Sequence, residues 1–176
     1  MPRIPYVPAD LAEPREIVDA IRARRGGTLI NLDRMLLHSP EMAMGWNTYL
    51  GAVRTRLQLS PKLRELAICV VAVLNGADYE FGHHAPEFLK AGGTTAQLDA
   101  LRDPQRAQSD GALFDDAERA ALAVAVEMTR SVQVSDASFD ALARRLDARA
   151  LVEFVGTVAT YNMVSRFLVA LGVEPE

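Results

Sequence analysis

The sequence is poor in cysteine, in unbalanced charge and in long apolar runs, and each shortage excludes a class of protein. Its single cysteine, Cys69, cannot form an internal disulfide, a Cys-x-x-Cys redox pair or a thiolate zinc site within one chain. With 19 Lys and Arg against 23 Asp and Glu, the formal net charge of −4 argues against nucleic acid or an anionic membrane surface as the main partner. The longest unbroken apolar run, residues 66–74, is far shorter than the ~20 residues that a membrane span needs.

The N-terminal stretch also lacks the apolar core of a signal peptide, because MPRIPYVPADLAEPRE is rich in proline and acidic side chains. We therefore expect a cytoplasmic protein with no membrane contact. The 176 residues suffice for one compact domain, and the 49% hydrophobic and 24% charged fractions are ordinary for a globular chain.

Strand signals are absent, whereas helix signals cover most of the chain. Three prolines within residues 1–8 predict an extended arm before the first helix. Ser-Pro pairs at residues 39–40 and 60–61 predict two helix starts. The second of these helices has no polar residue between Glu65 and Asn75, so we expect it to be central and buried on all sides. Further helices are predicted at residues 79–91, 94–101, 115–130, 135–146 and 147–171, with a polar loop at 102–111.

These patterns predict an all-α protein of one domain with roughly seven to nine helices. We expect the N-terminal arm and the first helix to occupy residues 1–30 and the main helical domain to occupy residues 31–176.

Glu65 is the only ionisable residue of the central helix after its first turn. Its helical spacing with the apolar residues 68, 69 and 72 favours an inward orientation, in which a carboxylate needs a hydrogen-bond partner. The alternative is a carboxylate near the surface that is stabilised by the helix dipole or paired with Arg64 or Lys62.

The segment Ala77-Asp78-Tyr79-Glu80-Phe81-Gly82-His83-His84 concentrates acid–base and hydrogen-bonding groups. Glu80 and His84 are four residues apart and meet on one helix face, where a carboxylate orients an imidazole for general acid–base work. His83 points about 100° away, so the two histidines have different roles. The alternative is a surface ion pair worth a few tenths of a kcal/mol. Because this order of residues matches no metal-ligand spacing, we expect no metal.

Other candidates lie outside this segment. Asn162 and Arg166 are four residues apart on the last helix and present a forked donor for a carboxylate or carbonyl, unless Arg166 pairs across a subunit interface. Trp46 either walls an apolar pocket or belongs to the core.

The spacing resembles that of the carboxymuconolactone decarboxylase family, which includes the alkylhydroperoxidase AhpD. AhpD-type members carry a Glu, a Cys-x-x-Cys twelve residues on, and a His four residues after the second Cys. Glu65 and His84 hold the Glu and His positions, Asn75-Gly76, Tyr79 and Ala91-Gly92 also fit, and the two cysteine positions fall on Ala77 and Glu80. The likeness covers residues 39–176 and is strongest over 65–92.

The resemblance implies an AhpD-like helical fold that assembles as a dimer, trimer or hexamer. It also implies that AhpD-like peroxide reduction cannot run here, because that reaction uses the cysteine pair. The decarboxylase branch also lacks the pair and uses acid–base residues without a cofactor.

We therefore expect a cofactor-independent enzyme that catalyses decarboxylation, or proton transfer next to a carbonyl or lactone, on a small carboxylated substrate. In this hypothesis His84 is the general acid or base, Glu80 orients it and Glu65 relays a proton. Substrate contacts are expected at Trp46, Asp78, Tyr79, His83, Asn162 and Arg166. The alternatives are a peroxidase that uses Cys69 and a non-catalytic helical oligomer with a vestigial site.

Overall fold

The structure is a computed structural model that describes every residue from Met1 to Glu176 and contains helices but no strand. Its ten helices are α1 (Arg15–Arg25), α2 (Asn31–Leu36), α3 (Pro40–Thr55), α4 (Pro61–Leu74), α5 (Asp78–Lys90), α6 (Thr95–Ala100), α7 (Pro104–Ala107), α8 (Asp116–Ser131), α9 (Asp136–Ala143) and α10 (Ala148–Leu171).

The all-α prediction is confirmed, but the helix count exceeds the predicted seven to nine. Two short helices went unpredicted: α2 has six residues and α7 has four. Neither is long enough for an apolar periodicity to show in the sequence. α7 lies inside the segment predicted as a polar loop, where Asp103 caps the backbone N–H of Arg106.

The chain divides into two compact units. The first comprises Met1–Leu57 and Ala170–Glu176 and therefore includes the predicted N-terminal region, whose boundary at residue 30 stays a prediction. Within this unit α1 and α2 pack against α3. The N-terminal arm is tied to the C-terminal segment, because the Arg3 backbone N–H donates to the Leu171 carbonyl at 2.9 Å. Trp46 lies on α3 and is buried.

The second unit, Gln58–Val169, is built around α4. As predicted, α4 is buried on all sides: the seven residues from 66 to 72 are each at most 1% exposed. α4 packs against α5 and α8, and α8 packs against α9. The ionisable groups predicted as catalytic lie on α4 and α5, so their positions depend on the packing of these two helices.

α10 is long and apolar enough to cross a membrane by length and composition alone, with a mean hydropathy of 1.3 over its most apolar window. Half of that window is buried inside the protein. Core helices of soluble proteins pass the same test, so one such helix is weak evidence for a membrane span. A cytoplasmic location stays a prediction.

Candidate acid–base site

The turn between α4 and α5 brings the predicted catalytic residues together. α4 ends at Leu74 with Asn75 as its C-cap, and Gly76 follows with φ of 63°, a left-handed conformation that glycine adopts without strain. The Ala77 N–H then donates to the Ala72 carbonyl at 2.8 Å, which closes a Schellman motif. Because α5 begins at the next residue, it folds back onto α4 and faces Glu65.

Glu65 lies in the first half of α4 and is only 4% exposed. Its Oε2 atom lies 2.6 Å from His84 Nδ1, and its Oε1 atom accepts a hydrogen bond from Arg64 Nε at 3.0 Å. The inward orientation and the pairing with Arg64, which were alternatives at the level of sequence, therefore occur together.

His84 is held from both sides by carboxylates. Besides the contact with Glu65, its Nε2 atom lies 3.3 Å from Glu80 Oε2, across the predicted i, i+4 spacing on α5. His84 is 2% exposed and Glu80 is 4% exposed, so this is no surface ion pair. We refer to Glu65, His84 and Glu80 as the buried triad.

The triad favours a charged imidazole. Burial opposes the imidazolium form, but the hydrogen bonds from His84 to Glu65 and Glu80 outweigh it and raise the pKa of His84 above its usual 6.5. Burial likewise opposes the carboxylate form of Glu65, yet the contacts with His84 and Arg64 lower the pKa of Glu65 below its usual 4.5. These two shifts favour an imidazolium at His84 beside an ionised Glu65, which Arg64 contacts from its other side.

The stability of the fold should therefore depend on pH in two opposite ways. The contribution of His84 is fully present below about pH 6.5 and is lost as the pH rises through its higher folded pKa. The contribution of Glu65 is present above about pH 4.5 and is lost as the pH falls through its lower folded pKa. We expect both contributions to be present between about pH 4.5 and 6.5. The free energy of unfolding, measured by urea unfolding across pH, should therefore decline on the alkaline side of this range.

His84→Leu should remove that alkaline decline, whereas His83→Gln, an exposed change on the same helix, should leave it intact. The alkaline side is the specific test, because Asp116, Glu127 and Glu153 also have lowered pKa values and contribute to any loss in acid. An unchanged alkaline decline in His84→Leu would contradict the charged state of His84.

The remaining predicted residues of α5 lie at different depths. Tyr79 is buried and its ring lies 4.5 Å from the ring of His83, centroid to centroid. His83 and Asp78 are exposed. The two adjacent histidines thus occupy different environments, as the helical geometry predicts.

Asn162 and Arg166 on α10 bond to each other rather than to the triad. Arg166 donates to the side-chain oxygen of Asn162 at 2.6 Å, and the same oxygen accepts from Asn75 at 3.1 Å. The Asn162 amide nitrogen donates to Thr129 and to the Val158 carbonyl. This network links α10 to α8 and to the end of α4, and its role in substrate binding stays a prediction.

Two residues beside the triad were not predicted as site residues. Arg64 contacts Glu65 directly and its side chain is 16% exposed. Tyr161, on α10, meets the ring of His84 edge-on at 4.9 Å between centroids. The sequence signal for Arg64 was its position next to Glu65, whereas nothing in the sequence indicated which face of α10 meets α5.

The triad side chains bond to one another instead of converging on a common point. No group of three or more His, Cys, Asp or Glu side chains in the protein is placed to hold a metal ion.

The chain belongs to the carboxymuconolactone decarboxylase family, whose model matches residues 40–127. This segment contains the whole triad. No curated protein sequence matches the chain.

Solved structures share the fold. An uncharacterized peroxidase-related protein from Silicibacter sp. TM1040 superposes with a TM-score of 0.80 at 19% identity, over 99% of this chain and 92% of that one. An alkylhydroperoxidase AhpD core protein from Ralstonia eutropha JMP134 gives 0.80 at 20% identity, with coverages of 99% and 92%. A variant of the debrominase Bmp8 in complex with 2,3,4-tribromopyrrole gives 0.80 at 19% identity, with coverages of 98% and 92%. At these identities the likeness shows an AhpD-like fold and no particular activity.

Proposed function

We propose that the protein is a cofactor-independent acid–base enzyme that acts on a small carboxylated molecule, by decarboxylation or by proton transfer next to a carbonyl or lactone. The observation that carries this proposal is the buried triad, in which an imidazole joins two carboxylates within a few ångströms. It is supported by family membership and by the absence of a cysteine pair.

The two carboxylates have unequal contacts with His84, which suggests unequal roles. Glu65 makes the shorter contact, 2.6 Å, and is itself held by Arg64, so it fixes the ring and keeps its own charge. Glu80 makes the longer contact, 3.3 Å, and is the group more easily turned toward a substrate. We therefore assign orientation of the ring to Glu65, and proton exchange with the substrate to Glu80 and His84. In the sequence-based hypothesis the two glutamates had the opposite roles, with Glu80 orienting the ring and Glu65 relaying the proton.

The proposed reaction balances without an external oxidant or reductant. In decarboxylation the bond to the carboxylate carbon breaks, CO₂ leaves, and the electron pair delocalises into the neighbouring carbonyl. The imidazolium of His84 then supplies the proton that the carbanion needs, and solvent reprotonates the imidazole. In proton transfer Glu80 accepts the substrate proton and returns it to another carbon.

The burial of the triad favours such chemistry. Its members are at most 4% exposed, so charge that develops on a substrate there is screened little by water. Arg64 is the cation in direct contact with the triad and is a candidate partner for the substrate's carboxylate, beside the predicted Arg166 and His83. The predicted dimer, trimer or hexamer is part of this proposal and can be measured by light scattering.

A set of small keto acids and carboxylated lactones, incubated with the protein in deuterated water, tests the proposal. Proton NMR follows deuterium entry next to the carbonyl, and released CO₂ is measured in parallel. We expect wild-type protein to turn over at least one compound, and Glu80→Gln to lower that rate about 10²–10⁴-fold, the usual contribution of a general acid or base.

Glu87→Gln is the matched control, because Glu87 also lies on α5 but forms an exposed ion pair with Lys90. This variant should retain the wild-type rate. Equal rates in wild type and Glu80→Gln would contradict the proposed role, and no turnover of any compound would favour the vestigial site.

A further inference from the structure

A second candidate site lies between α8 and α9, on side chains that the triad does not use. A cavity of about 500 Å³ opens there, within the size range of small-molecule sites. Its apolar wall consists only of small side chains, which leave the space unfilled: Ala120, Ala123, Ala137 and Ala141.

The polar lining of this cavity is strongly basic. Arg119, Arg144 and Arg145 line it, and Asp116 is the one acidic residue among the lining side chains. Three positive charges against one negative charge leave a net charge of +2. Asp116 accepts one hydrogen bond from Arg119 and one from Arg145, each at 2.6 Å. These two bonds use only part of the guanidinium N–H donors of the three arginines.

Arg119 retains a donor with no acceptor in the protein. Its Nε–H is buried and has no hydrogen-bond partner, which is costly for a charged group unless a ligand or solvent satisfies it. The guanidinium lies close to Gly111: a Cβ atom at that position would lie 3.2 Å from one of its terminal nitrogens. Ser138, the remaining polar lining residue, donates its hydroxyl to Glu127 at 2.6 Å and leaves recognition to the arginines.

We propose that this cavity binds a small organic dianion, either a dicarboxylate or a phosphate monoester. Its oxygens pair with the guanidinium groups of Arg119, Arg144 and Arg145, because guanidinium donors match the geometry of both oxyanions. Its carbon skeleton rests on the four alanines. Two negative charges neutralise the lining, and a monoanion leaves one positive charge unpaired. The site is independent of the triad and of the reaction proposed there.

The test follows the arginine Nε–H signals by ¹H–¹⁵N NMR while glutarate or phenyl phosphate is added at constant ionic strength. We expect saturable shifts of the Arg119 Nε–H signal at millimolar concentrations, and acetate to bind at least about tenfold more weakly. Arg119→Gln should weaken binding of the dianion at least about tenfold. Arg144→Gln, an exposed change at the same cavity, gives a second variant if Arg119→Gln does not fold.

Arg130→Gln is the control, because Arg130 is an exposed arginine on α8 outside the cavity lining. It removes the same charge and should leave the affinity unchanged. Saturation by phenyl phosphate alone supports a phosphate monoester as ligand, and saturation by glutarate alone supports a dicarboxylate. Shifts that never saturate, or equal affinity in Arg119→Gln, Arg130→Gln and wild type, would overturn the proposal.

Discussion

Replacement of His84 by leucine is expected to lower the free energy of unfolding by about 3–5 kcal/mol, the usual cost of removing one partner from a buried ion pair. The imidazolium is the cation shared by Glu65 and Glu80, which are both almost fully buried. Without it Glu65 loses its contact with His84 and retains the ion pair with Arg64, and Glu80 also loses its contact with His84. Urea unfolding at about pH 6 measures the effect, at a pH where the native imidazole is charged.

A triple variant separates the charge from the packing. Glu65→Met, Glu80→Met and His84→Leu together remove every buried charge of the triad, and such replacements are often neutral or stabilising. We expect the triple variant to recover most of the stability that His84→Leu loses. Lys90→Ala, which breaks an exposed pair on the same helix, should cost at most about 1 kcal/mol. A loss below 1 kcal/mol in His84→Leu would show that the triad contributes little to stability.

Cys69 is expected to resist alkylation in the native protein by about three orders of magnitude. It is fully buried on α4, and burial, together with the negative charge of Glu65, raises the pKa of its thiol from 9.0 to about 12. Since the thiolate is the nucleophile, a rise of about three pKa units lowers its population about a thousandfold. Iodoacetamide labelling followed by mass spectrometry measures the rate with and without urea.

This result bears directly on the alternative of a peroxidase that uses Cys69. Rapid labelling of the native protein, at a rate close to that in urea, would restore that alternative. Cys69→Ala serves as the matched variant: it should leave any turnover by the triad within about twofold of wild type, as expected for a residue that takes no part in the chemistry.

The sequence predicted much of the site because the site is local. The i, i+4 spacing of Glu80 and His84 holds in any helix, and the Ser-Pro start and Asn-Gly end of α4 determine where that helix begins and ends. The approach of Glu65 to His84 could not be predicted from spacing alone. It depends on the left-handed Gly76 and on the packing of α5 on α4, which are properties of the folded chain.

The residues that sequence analysis missed fall into two physical groups. α2 and α7 are too short to show a periodicity, and α2 begins after Ile30, which has no polar capping group. Tyr161 could not be told apart from the other residues of α10. Because this long helix is mostly apolar, its sequence does not indicate which face packs against the site. The first miss follows from the length of the helices, and the second from packing between elements, which a pattern along one element does not contain.

The short turn after α4 has a consequence for how this scaffold changes its chemistry. All three triad members lie within the 20 residues from Glu65 to His84, on two helices joined by Asn75, Gly76 and Ala77. The two positions that the resemblance assigns to the cysteines of AhpD-type members, Ala77 and Glu80, lie in the same short stretch. On that resemblance, two point substitutions on one helical hairpin separate a thiol-bearing site from a carboxylate-bearing one, with the spacing of the hairpin retained.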